Sequence, residues 1–267
     1  MRIWIGACAV ALVSLLLEVT VGSFPYQFFC FPLNILTLAL WLVIICSLYR
    51  NRKESSVAKL MLSRSATWLA LLIMALIGVV FGLQRTPAST SWCVVFGLLF
   101  VLTHLAFVIL RGWRNSSGIR LRFILTHVGL WLALGAGFWG APDREQLRVA
   151  VDDNATAEAY TMTGAVRRLP YELRLEELTV EPTNYEAKVS INNEVVLLRV
   201  NHPYNYSPSQ KIYLASVSDA NAEAKYAIIE IVTEPWQWLT MAGIVMLIFG
   251  GVLLFICGPR KTQTQKL

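Results

Sequence analysis

Six long apolar runs, separated by polar stretches, constrain this chain more than anything else in it. They cover about Ile3–Val21, Phe28–Tyr49, Ala66–Leu83, Cys93–Leu110, Phe123–Gly140 and Trp236–Cys257. A helix crosses the hydrocarbon core of a bilayer in about 20 apolar residues, and within that core only a helix or a closed barrel satisfies its own backbone. With 56% hydrophobic and only 15% charged residues, the composition is that of a polytopic membrane protein. The first run follows a single Arg2 and has no A-x-A cleavage site at its outer end, which predicts a retained anchor. The expected fold class is an α-helical polytopic membrane protein of six transmembrane helices. One extracytoplasmic all-β domain is expected between helices five and six. The predicted divisions are a five-span bundle at 1–139, a β-rich domain at 140–235, and a sixth helix with a short tail at 236–267.

Charge sets the orientation. Residues 140–235 hold 15 acids and 9 bases, whereas the rest of the chain holds 2 acids and 14 bases. Placing both termini in the cytoplasm puts every one of those 14 bases inside except Arg85. Residues 140–235 then lie outside the cytoplasm. The bases therefore belong to membrane topology, and no basic patch interleaved with aromatics points to nucleic acid. The five cysteines (Cys8, Cys30, Cys46, Cys93, Cys257) lie in or beside the spans and form no C-x-x-C pair. They read as small hydrophobes rather than a redox centre.

The polar segment alternates as strands do. Ala187, Val189 and Ile191 point one way, Asn192-Asn193 suit the positive φ of a tight hairpin, and Val196, Leu198 and Val200 alternate again. Similar patterns occur at Tyr171–Leu175, Ile212–Val217 and Tyr226–Ile231, with a change of phase near Glu176-Glu177 that predicts a bulge or strand end. Some six or seven strands in a small sandwich or open barrel are expected, with 152–158 as an exposed loop.

Few residues offer chemistry. There is no G-x-S-x-G, H-E-x-x-H or P-loop. His104 lies six residues before the inner end of the fourth run, and His127 four residues into the fifth. At 1.5 Å per residue the two share a depth of roughly 6–9 Å. An ionisable residue inside a span is a functional candidate by default, and neutral imidazole ligates haem iron or another metal, or relays protons. The plainer reading is a histidine hydrogen-bonded between helices. Gly129, Gly135, Gly137 and Gly140 admit either another helix or a flat ligand. Trp131, four residues after His127, shares its helical face and either lines a ligand site or packs. Trp139, Trp236 and Trp238 are placed in an interfacial aromatic belt. Glu18 reaches either headgroups and water or a neighbouring helix. His202, before Pro203, reads as structural.

Three stretches together resemble the ResB-like family: FILTHVGLWLALGAGFWGAPDREQLRVAV (123–151), VNHPYNYSPSQKIYLASVSD (200–219) and IIEIVTEPWQWLTMAGIVMLIFGGVLLF (228–255). The first carries an H-x-G core at His127 and Gly129, and the last an E-P-W junction before the final span. The resemblance implies a CcsB-type accessory subunit of the two-component cytochrome c biogenesis system, in the bacterial cytoplasmic (inner) membrane. It would handle haem b transiently and help present it, with a CcsA/ResC-type membrane protein, for attachment to apocytochrome c. It implies His127 as an axial ligand to haem iron. In the reading built on it, Gly129 and Trp131 shape the pocket and the second ligand is a histidine of the partner or His104, which the resemblance itself does not assign. The arginines Arg111, Arg114, Arg120 and Arg122 are placed to meet haem propionates, by charge and position alone. The chain lacks the partner's Trp-rich segment and is not expected to be catalytic alone. Two other classes stand beside this reading. One is a haem-free scaffold whose β domain binds a protein partner; the other is a b-type haem electron-transfer subunit using His104 and His127 as a pair.

Overall fold

The computed structural model describes residues 2–83, 91–114, 121–181, 184–218 and 225–257. It divides into a helical unit, Met1–Pro142 with Gln237–Leu267, and a β unit, Asp143–Trp236.

The described residues of the helical unit form seven helices: α1 (Arg2–Thr20), α2 (Leu33–Arg50), α3 (Ser56–Met61), α4 (Arg64–Leu83), α5 (Trp92–Arg114), α6 (Leu121–Gly140) and α7 (Gln237–Cys257). Six of them, all but α3, are long and apolar enough to cross a membrane. The expected placement of the β domain between helices five and six is therefore corrected: it lies between α6 and α7. The additional helix is α3, inside the basic stretch after α2. Ser55 caps it, its hydroxyl accepting from Ala58 N at 3.2 Å, and one turn so capped needs no apolar period to betray it. The start of α2 is also later than expected. Tyr26–Phe29 form a 3-10 turn, and Pro32 stands at the N-cap of the helix, where its missing N–H costs nothing.

The helices α6 and α7 are joined by close approach rather than by large side chains. A Cβ on Gly243 of α7 would lie 2.5 Å from Ala133 N and 2.7 Å from Gly129 O. One on Gly250 would lie 2.7 Å from Thr126 Cγ2. Two glycines one heptad apart thus let α7 lie directly on the α6 backbone, the packing expected where lipid supplies no hydrophobic drive between helices. At the other side of the unit, Glu18 of α1 accepts from Ser91 Oγ at 3.2 Å and from Trp92 N at 3.0 Å. It thereby caps the start of α5 with a carboxylate, the favoured charge at a helix N-terminus. Of the two placements open for Glu18, the structure has the helix-to-helix one.

The β unit is one antiparallel sheet of eight strands in the order β5-β4-β3-β2-β1-β8-β7-β6. The strands are β1 (Glu145–Val151), β2 (Thr156–Thr161), β3 (Val166–Glu181), β4 (Asn184–Ile191), β5 (Glu194–Arg199), β6 (Tyr204–Ser207), β7 (Gln210–Val217) and β8 (Ala227–Thr233). Asn192 and Asn193 take φ of 49° and 69° and turn β4 into β5. The β3–β4 register shifts between Leu175 and Glu177, at the expected change of phase. The strand β2 begins inside the segment expected to be loop; only 152–155 remain irregular. The sheet curls so that distant strands face one another. Tyr171 OH of β3 donates to Gln210 Oε1 of β7 at 3.0 Å, and Tyr185 OH of β4 to Ala215 O of β7 at 3.4 Å. Leu173, Ala187, Val189, Leu198, Ile212, Ile229 and Ile231 fill the enclosed core and are fully buried. No ladder joins β5 to β6, so the barrel stays open. Burial raises the Tyr171 phenol above the usual tyrosine range, and neighbouring Tyr206 adds to the shift. Tyr171 therefore stays neutral in the folded unit.

Candidate functional site

His127 sits in the second turn of α6 with its ring folded back along its own helix. Nδ1 lies 3.1 Å from Phe123 O and 3.0 Å from Thr126 Oγ1. A carbonyl oxygen only accepts, so the Phe123 contact is a hydrogen bond when Nδ1 carries the proton, the neutral tautomer that leaves Nε2 its lone pair. No hydrogen bond engages Nε2 among the described residues. The imidazole stacks on the Phe123 ring, with centroids 4.2 Å apart and planes 25° off parallel. Phe123 in turn occupies the space left by Gly112 of α5, where a Cβ would lie 2.3 Å from the ring. Gly112 admits Phe123, and Phe123 orients His127. Sequence reasoning missed both, although Phe123 precedes His127 by one turn and shares its face.

His104 is differently engaged. Its Nδ1 lies 2.8 Å from Met61 O and the residue is 6% exposed. Arg111 donates to Leu62 O at 3.3 Å. These are carbonyls at the C-terminal end of α3, which the helix itself leaves without partners. His104 and Arg111 thus pin α3 to α5. The two imidazoles are engaged differently: His104 is bonded to α3, and His127 is stacked on its own helix.

Trp131 lies against Trp41 of α2, with centroids 6.1 Å apart and planes 16° off parallel. Trp41 also meets Trp139 at 4.9 Å. Trp131 packs against a cluster containing Ile45, Ala106 and Phe107, and its buried Nε1 has no hydrogen-bond partner. Trp139 is not part of an aromatic belt. It is 6% exposed, and its carbonyl accepts from Asn34 Nδ2 of α2 at 3.1 Å. Trp238, 58% exposed, does suit the belt. Gly129 faces α7, where a Cβ would meet Gly243 O and Met246 Cβ, each at 2.9 Å. The space a flat ligand would need beside Gly129 is filled by that helix.

Of the four arginines placed to meet propionates, Arg111 bonds the end of α3, while Arg120 and the side chain of Arg114 lie outside the described residues. Arg122 is half-buried and engaged. His202 is exposed, and its N–H closes a turn onto Arg199 O at 3.1 Å.

The donor set limits what the site can hold. Among the described residues no three His, Cys, Asp or Glu side chains gather to hold a bare metal ion. One imidazole with an available Nε2 suits a metal whose remaining ligands come with it, as haem iron brings its porphyrin nitrogens. A second-sphere bond from Nδ1 to a backbone carbonyl is the usual support for such a ligand. No protein-family model matches the chain, and no curated protein matches it.

Proposed function

We propose that this protein is a multi-pass membrane subunit that handles haem through His127. In this reading it is an accessory component of cytochrome c maturation in a bacterial cytoplasmic membrane. Both termini lie in the cytoplasm and the β unit lies outside it. The carrying observation is the placement of His127: Nδ1 lies 3.1 Å from Phe123 O, and no hydrogen bond engages Nε2 among the described residues. Haem, when bound, would supply an iron that accepts a nitrogen ligand. His127 is the residue that would hold it; Phe123 and Thr126 orient the ring, and the unsatisfied Trp131 Nε1 on the same face is a donor in reserve. Haem b would be a passing cargo. A CcsA/ResC-type membrane protein and apocytochrome c are the partners the sequence resemblance implies, with the β unit acting by binding.

The haem-free scaffold is favoured by two observations: His104 serves α3, and α7 fills the space beside Gly129. The paired-histidine reading would require His104 to give up Met61 O. The test is a visible spectrum and haem-to-protein ratio in detergent, with and without the partner, for wild type, His127→Ala and His104→Ala. The expected outcome is a coloured wild type, loss of at least about ten-fold of its haem in His127→Ala, and retention in His104→Ala. A wild type that stays colourless beside the partner sinks the haem reading. Equal loss in both variants instead selects the paired-histidine one.

A further inference from the structure

Between α2 and α4 the chain builds a helix too short to cross anything, and its sides differ. Ala58 of α3 is fully buried with Ile45 and Tyr49 of α2 and Phe107 of α5, and Met61 and Leu62 lie against the same cluster. At about 3.6 residues per turn, Val57 and Leu60 fall together on a second side. They are 50% and 36% exposed. Ser56 and Lys59 share a third side, and both are exposed. Apolar residues therefore occupy two sides of α3, but protein buries only one of them.

The charge around α3 is one-sided. Arg50, Lys53, Lys59 and Arg64 are exposed, and none of them forms an ion pair among the described residues. Arg52 donates to Tyr49 O at 3.2 Å, with its guanidinium 4.7 Å from the centre of the Tyr49 ring. Arg111 adds a sixth base where it bonds Leu62 O. Against these stands a single acid, Glu54. The only other acid in 1–142 and 237–267 is Glu18, which caps the opposite end of α5 at Trp92. Trp92 and Arg111 are about 28 Å apart along that helix at 1.5 Å per residue, so Glu18 offsets nothing here. Two indoles mark the same end of the bundle. Trp68, one turn after Arg64, is 68% exposed, and Trp113, two residues after Arg111, is 67% exposed. Exposed tryptophans gather where a membrane meets water.

We propose that α3 is an interfacial helix that binds anionic lipid at the end of the bundle where α2 stops and α4 starts. Val57 and Leu60 enter the headgroup–acyl boundary, and Lys53, Lys59 and Arg64 meet the phosphates. The occupant is lipid because the two helices that flank α3 are each long and apolar enough to cross a bilayer. Uncompensated bases beside exposed apolar side chains are also what an anionic interface attracts. A helix of this length is marginal by itself; His104 and Arg111, bonded to its last carbonyls, hold it against α5 as a fixed surface. This placement rests on the reading that the long helices cross a bilayer, and not on haem.

The experiment uses the full chain in nanodiscs, with its five cysteines replaced by alanine and a single bimane label at Val57→Cys or, for comparison, Ser56→Cys. Phosphatidylglycerol or phosphatidylcholine carrying a nitroxide high on the acyl chain quenches the label on contact. The label at 57 is expected to be quenched more strongly than the label at 56. At equal low mole fraction, the phosphatidylglycerol probe is expected to quench it at least about five-fold more effectively, the worth of one base at such a surface. Lys53→Gln, Lys59→Gln and Arg64→Gln combined are expected to bring that ratio close to parity, with size-exclusion profile and helical circular dichroism unchanged. Quenching at 57 no greater than at 56, equal quenching by the two lipids, or a preference that survives the triple substitution overturns the proposal. None of these outcomes depends on whether His127 binds haem.

Discussion

The α6–α7 seam and the core of the β unit are held by opposite means. Along the seam the side chains are missing: Gly129, Gly243 and Gly250 bring backbone against backbone, and what matters is distance. In the β unit the side chains are the structure: Leu173, Val189, Ile229 and their neighbours leave water completely, and what matters is apolar area and fit. The difference follows from the surroundings. Lipid solvates an exposed leucine as well as a neighbouring helix does, so association comes from close contact and hydrogen bonds. Water does not, so burial carries the sheet.

Substitutions that treat the two regions alike should break this contrast or sharpen it. The largest effect is expected for Gly243→Leu. Its Cβ alone would meet Ala133 N at 2.5 Å, and backbone cannot step aside as a flexible side chain can. The expected result is loss of a monodisperse folded protein in size-exclusion chromatography, with Gly243→Ala already impaired. In the β unit, Leu173→Ala should cost about 2–5 kcal/mol through lost burial and the cavity left. That corresponds to at least about 10 °C in the unit's thermal transition by circular dichroism. Leu173→Ile should cost less than about 1.5 kcal/mol, since volume is conserved. If Gly243→Ala were as harmless as Leu173→Ile, the seam would not be controlled by distance.

A smaller effect belongs to the polar contact between spans. Glu18→Ala removes the acceptor for Trp92 N and Ser91 Oγ and should cost about 1–2 kcal/mol, as loss of a helix cap does. Glu18→Gln should recover most of this, because an amide oxygen still accepts. Chemical denaturation in detergent reads both. The smallest effect lies on the β surface. Lys188, hydrogen-bonded and ion-paired to Glu177, holds that carboxyl below the usual glutamate range. A lowered carboxyl favours the folded state at neutral pH and loses this as pH falls through its own titration. Any contribution of the pair should therefore fade only in acid. Glu177 should titrate in its ordinary range in Lys188→Met, followed by NMR, with little change in stability because both side chains are solvated.

What was legible in the sequence divides along the same line. The six helices long and apolar enough to cross a membrane were readable because an apolar run of that length declares itself, whatever its neighbours are. The Asn192-Asn193 hairpin and the bulge at Glu176-Glu177 were readable because turn chemistry and a change of phase are local. The α3 helix was not, since its stability rests on the Ser55 cap and on His104 and Arg111, which bond carbonyls more than 40 residues away in the chain. Trp139 was placed in the belt from its height in the span, but height does not say which face a residue occupies, and Asn34 and Trp41 hold it inward. Strand β2 has one fully buried side chain, Ala159, too little to raise an alternating pattern. At the candidate site, His127 stood out by the cost of its burial in a span. Its orientation did not, because Gly112 and Phe123 act only as a pair brought together by packing. Gly129 left a choice between ligand and helix that only the position of α7 decides.

The pairing of β1 with β8 also bears on how the molecule is made. The first strand of the sheet waits for the last, because Val151 meets Ala227 and Glu145 meets Thr233. The glycine face of α6 likewise waits for α7, whose Gly243 follows Gly129 by more than a hundred residues. During vectorial synthesis both openings therefore stand unfilled until nearly the same moment, when the strand and then the helix emerge one after the other. A chain that has not yet supplied residue 227 leaves α6 without its mate and the sheet with β1 as an unpaired edge. Released chains ending before residue 227 and after Cys257 should differ sharply in protease resistance.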